Sequence, residues 1–276
     1  MQKYVFYPKF SEHDYHLFRS PGAGLGNLLF PWARAEVLAK HYNGYMISPT
    51  WRNLKLGPIL RRENDFRTYG DIFKHRSLKK IIEDFNVKFK FRNQHIKEVD
   101  FLISPQNGFV EVEGMGNYFA DIQTEKEYLK NRLVEISLNP PIENIGGIAM
   151  HIRMGDFQEI KEEKYSRNSR VALEWFIEEA KRLRSVLGQK KITIFTDDTS
   201  GKVREAFKVI ENVEFAPPAT AIQDILKLAT AEHIVCSNST FSLWGVFLSD
   251  ATVSAKYNEL FEDYKLTEAY LIGRIK

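Results

Sequence analysis

The chain has 276 residues, 43% hydrophobic, 13% aromatic and 27% charged, enough to bury a sizeable core as one large or two modest α/β domains. Its net charge of +3 favours an anionic ligand or an acidic membrane surface and falls far short of a nucleic-acid-binding signature. The single cysteine, Cys236, excludes an internal disulfide and a cysteine-built zinc site, and with no signal-peptide pattern or bilayer-spanning apolar run a cytoplasmic location is expected.

In chain order, Tyr4 to Tyr7 and Tyr15 to Arg19 are aromatic-rich runs that read as short strands around a polar turn. Gly22, Gly24 and Gly26 then punctuate a turn, and Leu28, Leu29, Phe30, Trp32, Ala33, Val37 and Leu38 follow at helical spacing. Such a strand, glycine turn and helix aims backbone N–H groups at an anion, or simply lets the helix pack close to the strand. The dinucleotide fingerprint G-x-G-x-x-G fails, because Asn27 stands where the third glycine belongs and no acidic residue lies between Tyr42 and Trp51. A nicotinamide or flavin enzyme is thereby disfavoured.

Tyr45 to Ser48 reads as a strand, Lys55 to Arg67 is basic and irregular, and Ser77 to Phe85 reads as a helix. Trp51, Arg52, Arg61, Arg62, Arg67 and His75 either line an acceptor groove or form a solvated basic face. An amphipathic helix is expected from about Thr124 to Ile136, and Leu138-Asn139-Pro140-Pro141 then breaks the chain, which sets a domain boundary at residue 140.

Beyond that break, Ile148 to Ile152 is an apolar, β-competent run ending in a turn at Gly155-Asp156. His151 and Arg153 therefore sit at the end of a central strand, where open α/β sheets bind ligands. Arg153 is suited to gripping a phosphate through two parallel hydrogen bonds. The alternative is a structural ion pair between Arg153 and Asp156 beside a satisfied core histidine. After a charged loop from Lys161 to Arg170, a helix is expected from about Arg170 to Leu187, burying one stripe. Lys191 to Phe195 is a strand ending at Asp197 and Asp198, two carboxylates that suit a base or ribose, or cap the helix beginning near Ser200. They are not a metal site by themselves. Ile222 to Ala231 reads as a helix and Ile234 to Cys236 as a buried strand. Ser237 to Ser242 is a hydroxyl-rich turn opening a further helix, either a phosphate cradle or an ordinary N-cap.

Four blocks, GAGLGNLLFPWARA, HIRMGDF, FTDD and DILKLATAEHIVCSNSTFSLWGVFL, resemble in order and spacing the α-1,2-fucosyltransferases of glycosyltransferase family 11. The resemblance implies an α/β fold of two Rossmann-like halves facing across a cleft, the glycosyltransferase B type in its fucosyltransferase variant. Residues 1–140 would carry the acceptor and residues 141–276 the GDP-fucose. It implies that Arg153 binds the diphosphate, that His151 and one of Asp197 or Asp198 contact the guanosine, and that Ser239, Thr240 and Phe241 meet the phosphate. Gly24, Gly26 and Asn27 would face the cleft from the first half.

The implied reaction is inverting transfer of L-fucose from GDP-β-L-fucose to a hydroxyl of an oligosaccharide or glycolipid-linked acceptor, α-1,2 to galactose, in surface polysaccharide or glycan synthesis. A fixed arginine and helix N–H groups stabilise a leaving diphosphate, so neither metal nor cofactor is expected. Asp156 would act as general base or orient Arg153. Leu28, Met154, Phe157 and Leu243 replace the family's Gln, second Arg, Tyr and first Trp. These departures bear on acceptor and donor sugar. The alternatives are a transferase of the same fold with another sugar nucleotide or linkage, and a non-catalytic nucleotide-binding protein. Contact with the inner face of a membrane fits the charge.

Overall fold

The computed structural model describes residues 3–15, 18–20, 22–53, 68–140, 143–155, 158–159, 164–167, 169–266, 268–271 and 273–274. The chain divides into two compact units, Met1–Asn139 and Pro140–Lys276.

The first unit is built on β1 (Tyr4–Lys9), whose residues are packed on both faces. Val5 and Tyr7 meet Ile47, Phe91 and Phe109 on one side, and Phe6 meets Ala35, Leu38, Phe101 and Val110 on the other. Burial on both faces is what a parallel sheet requires. The sheet is parallel throughout, in the order β2 (Tyr45–Met46), β1, β4 (Gly108–Glu113), β3 (His95–Lys97). Helix α1 (Leu25–His41) follows β1, α2 (Leu78–Lys90) and α3 (Glu98–Ile103) flank β3, and α4 (Lys126–Ile136) follows two 3₁₀ turns. Arg34 of α1 is buried yet satisfied, donating to Glu98 at 2.8 and 3.1 Å and to the Glu113 carbonyl at 2.8 Å. It ties α1 to the start of α3 and the end of β4.

Several expectations are corrected here. Among the described residues of the run from Tyr15 to Arg19 there is no strand, only isolated bridges of Arg19 to Asp14, antiparallel, and to Asn53, parallel. Helix α1 begins at Leu25, so Gly26 and Asn27 lie inside its first turn rather than before it. Helix α2 extends five residues beyond Phe85, and α4 begins two residues after Thr124.

The second unit is a five-stranded parallel sheet in the order β11 (Thr252–Ala255), β10 (His233–Cys236), β5 (Ile148–Ile152), β8 (Ile192–Thr196), β9 (Val213–Phe215). A small pair, β6 (Gln158–Glu159) and β7 (Ser169–Arg170), stands apart. β5 is fully buried. Its Ile148, Met150 and Ile152 pack against Phe176, Ala180 and Leu183 of α5 (Leu173–Leu187), which begins three residues later than expected because Arg170 pairs in β7. Gly147, at φ +50°, leads into β5 where a Cβ would fall 2.5 Å from the Lys191 carbonyl oxygen, so only glycine fits. The remaining helices that bear on the site are α6 (Lys202–Ala206), α7 (Ala221–Leu228), opened by a Thr220–Gln223 capping box, and α8 (Thr240–Phe247).

Candidate functional site

From β5 the chain proceeds outward through β8 to β9, then returns to the other side of β5 for β10 and β11. The switch in direction lies between β5 and β10, and a crevice opens beyond the carboxyl ends of strands at such a point. His151 and Arg153 come from the end of β5, Ser237 to Ser239 from the end of β10, and α8 starts there.

Arg153 Nη1 lies 2.9 Å from Asp197 Oδ2, which joins the ends of β5 and β8. Asp197 also accepts from the Met154 amide at 2.7 Å and the Gly155 amide at 3.2 Å. A Cβ on Gly155 would fall 2.5 Å from the Asp197 carboxylate, so glycine permits this close approach. From the other side, the Arg170 guanidinium donates to the Met154 and Gly155 carbonyls. The turn after β5 is thus held by its amides and its carbonyls together.

His151 is 6% exposed. Its Nδ1 lies 2.7 Å from Ser242 Oγ and 2.8 Å from Ser237 Oγ, and its ring stacks on Phe241 at 4.8 Å between centroids. Burial, reinforced by the Arg153 charge and opposed by Asp197, brings its pKa down to about 3. The ring is neutral near pH 7.

Ser239 caps α8, its Oγ accepting from the Phe241 amide at 3.2 Å, and Thr240 is the first residue of the helix. Asn238 is buried and donates from Nδ2 to Ser169 Oγ at 2.9 Å, while its Oδ1 is buried with no partner among the described residues. Asp198 accepts from the amides of Ser200 at 2.9 Å and Val203 at 2.8 Å and from Ser200 Oγ. Against the opposing effect of burial, these bonds hold its carboxyl below the usual range. The two adjacent aspartates therefore do different work: Asp198 caps its own turn, and Asp197 organises Arg153. Asp156 lies outside the described residues, as does Phe157.

In the first unit, Gly24 caps α1 without a side-chain bond, and the Leu25 amide donates to Tyr69 Oη at 3.1 Å. Gly26 is buried in the first turn and the Asn27 amide closes on the Gly24 carbonyl at 3.0 Å. Elsewhere in this unit, beyond the end of β2, is a cavity of about 640 Å³ lined by Trp51, Arg52, His75, Arg76, Lys80 and Arg132 among others. Trp51 stacks on Phe73 at 3.9 Å, Lys80 pairs with Asp84 at 3.0 Å and Arg132 with Glu36 at 3.0 Å. Arg61, Arg62 and Arg67 lie outside the described residues. Among the described residues no cluster of three or more His, Cys, Asp or Glu is placed to hold a metal ion.

Sequence reasoning missed Ser169 and Arg170, and, within the turn it named, the specific roles of Ser237, Asn238 and Ser242. The S-N-S-T-F-S run was a signal for the last three. Ser169 and Arg170 reach the site only through tertiary structure.

Residues 76–273, well over half of the chain, match the family model described as Glycosyl transferase family 11. The chain belongs to glycosyl transferase family 11. The match takes in the HIRMGDF, FTDD and SNSTF blocks and begins after Gly24, Gly26 and Asn27. No curated protein matches this family 11 chain. Among solved structures, POFUT1 in complex with GDP is 9% identical over 91% of this chain and 95% of its own, with a TM-score of 0.52. The NodZ alpha-1,6-fucosyltransferase co-crystallized with GDP is 13% identical over 90% and 93%, with a TM-score of 0.42. At 9% identity the likeness to POFUT1 is one of fold: Rossmann-like α/β units of the glycosyltransferase B type.

Proposed function

We propose that this family 11 member is an inverting fucosyltransferase that moves L-fucose from GDP-β-L-fucose to a glycan hydroxyl, with α-1,2 linkage to galactose. The surface polysaccharide or glycan it serves would be built at the cytoplasmic face of a membrane. The observation that carries this reading is Arg153, held by Asp197 at the β5/β10 switch point beside the start of α8. There a guanidinium and helix N–H groups are fixed before the reaction, where they meet the charge that grows on a leaving diphosphate. In this reading they fill the place that a metal ion takes in other transferases.

The other residues take parts that follow from their surroundings. Neutral His151 uses Nδ1 internally, so Nε2 is the edge for a nucleotide. Ser239, Thr240 and Phe241 approach the phosphates, and Asp197 presets Arg153 and the amides of Met154 and Gly155. Asp156 serves the attack as general base or as a second support for Arg153. The first unit takes the acceptor, with Gly24, Gly26 and Asn27 at the reacting end. A guanine nucleotide agrees with the GDP named for POFUT1.

The test is a thermal-shift series with GDP, GDP-fucose, GDP-mannose and UDP-glucose on the wild type and Arg153→Ala. A ligand at a hundred times its Kd stabilises by about 2.7 kcal/mol. Stabilisation by the guanine nucleotides that Arg153→Ala abolishes supports the donor site, and product linkage analysis with galactose-ended acceptors then reads the bond formed. Stabilisation by UDP-glucose alone, or an unchanged response in Arg153→Ala, overturns the proposal.

A further inference from the structure

Helix α2 is amphipathic, yet it turns large apolar side chains outward. Its Phe91 end and Val87 pack beneath the sheet with Tyr7 and Phe109. On the opposite side Leu78, Ile82, Phe85 and Phe89 are 79%, 60%, 64% and 59% exposed. Their spacing of four, three and four residues places all of them on one stripe of the helix. Single exposed apolar residues are ordinary, whereas a continuous stripe marks a contact surface.

The charge around the stripe names the partner. Residues 74–97 carry eight lysines and arginines against Glu83 and Asp84, a net +6, while the whole chain carries +3. The rest of the protein is therefore slightly acidic, and the basic character is concentrated here. Asp84 is buried and pairs with Lys80 at 3.0 Å, so these two charges cancel each other away from the stripe. Lys79, Lys90 and Arg92 are exposed beside the stripe, and the Arg92 guanidinium lies 4.1 Å above the Phe89 ring.

A second copy docking through this face by a two-fold axis would set the same basic patch against itself. Nucleic acid would meet the cations but has no use for four aliphatic and aromatic side chains in a row. An anionic lipid surface satisfies both features, because apolar groups enter the headgroup boundary while lysine and arginine reach lipid phosphates. Thirteen residues of helix extend ~20 Å, which suits lying in the interface. No helix among the described residues is long and apolar enough to cross a membrane.

We propose that α2 is the surface on which this protein lies against an anionic membrane, with Leu78, Ile82, Phe85 and Phe89 inserted and Lys79, Lys90 and Arg92 on lipid phosphates. The inference stands on α2 alone and holds whichever sugar is transferred.

The experiment is co-sedimentation of the full chain with vesicles of phosphatidylcholine alone and of phosphatidylcholine mixed with phosphatidylglycerol. Binding is expected only to the mixed vesicles, weakening as salt is raised. Phe85→Ser with Phe89→Ser is expected to weaken it roughly tenfold or more with an unchanged melting temperature, since both rings are exposed. Lys79→Glu with Lys90→Glu is a second variant that leaves the stripe intact and is also expected to weaken it. Failure of the wild type to bind, equal binding to both vesicles, or equal binding by all variants overturns the proposal. So does a wild-type dimer in light scattering that the phenylalanine variant splits without any vesicle binding, which would assign the stripe to a second copy.

Discussion

His151 Nδ1 stands 2.7 Å from Ser242 Oγ, joining the end of β5 to the first turn of α8. Ser237 Oγ lies 3.0 Å from the same hydroxyl and 2.8 Å from the same nitrogen, so three polar groups satisfy one another out of water. Ser242→Ala is expected to cost about 1 kcal/mol of stability, because Ser237 remains. Ser237→Ala with Ser242→Ala leaves the buried nitrogen unsatisfied and is expected to cost clearly more than twice the single change. Urea denaturation of Ser237→Ala, Ser242→Ala and the double variant gives the comparison, and strict additivity would contradict the network.

The pH dependence of stability carries two opposed contributions. His151 keeps a pKa of about 3 through burial and the Arg153 charge, whereas an unfolded histidine titrates near 6.5. The unfolded chain binds the additional proton, so this contribution is intact above pH 6.5 and is lost as pH falls toward 3. Asp224, pushed up to about 6 by burial and opposed by Lys227, has the other sign. Its proton is retained on folding, so stability falls as pH rises from about 4 to about 6 and stays lower above that. Asp224→Asn is expected to stabilise the protein by up to about 3 kcal/mol at pH 7.5, with the gain vanishing toward pH 4. Denaturation midpoints at both pH values decide it, and an equal gain at the two would refute the assignment.

Gly155→Ala puts a methyl group 2.5 Å from Asp197 Oδ2. Either the carboxylate or the turn moves, and the Met154 and Gly155 amide bonds to Asp197 weaken with it. The expected result is a stability loss of about 1–3 kcal/mol together with weaker GDP binding in calorimetry. A variant with wild-type affinity would show that the turn does not set the site.

Cys236 is buried in β10, and burial pushes its thiol up to about 12. The thiolate is the reactive form, so the native protein is expected to resist a maleimide at pH 8 and to label fully in denaturant. Rapid native labelling would place β10 at the surface.

Much of the second unit was legible because β5, β8 and β10 are short apolar runs ended by Gly, Asp or Ser, with the chemistry at those ends. Helix α2 was cut short for a physical reason: Val87-Lys88-Phe89-Lys90-Phe91 alternates with period two, the pattern of a strand. Packing of Val87 and Phe91 under the sheet overrides it. β4 went unread although it spans six residues against β1, since its alternation lies within a stretch of mixed polarity. Whether Asp197 or Asp198 was the cap could not be read from adjacent identical residues; the Val203 amide decides it. Arg170 was hidden because its contact with Met154 depends on a turn brought back over 16 residues.

Under the proposed function, the ion pair of Arg153 with Asp197 also bears on what the crevice rejects. A guanidinium already facing a carboxylate at 2.9 Å is close to neutral as a unit, so a lone inorganic phosphate gains little by approaching it. An anion has to bring further contacts of its own, to the imidazole edge and the start of α8, before displacing or sharing that carboxylate becomes favourable. On the proposed reading, selectivity for an intact nucleotide over the abundant free phosphate of a cell follows from the partner that Arg153 keeps.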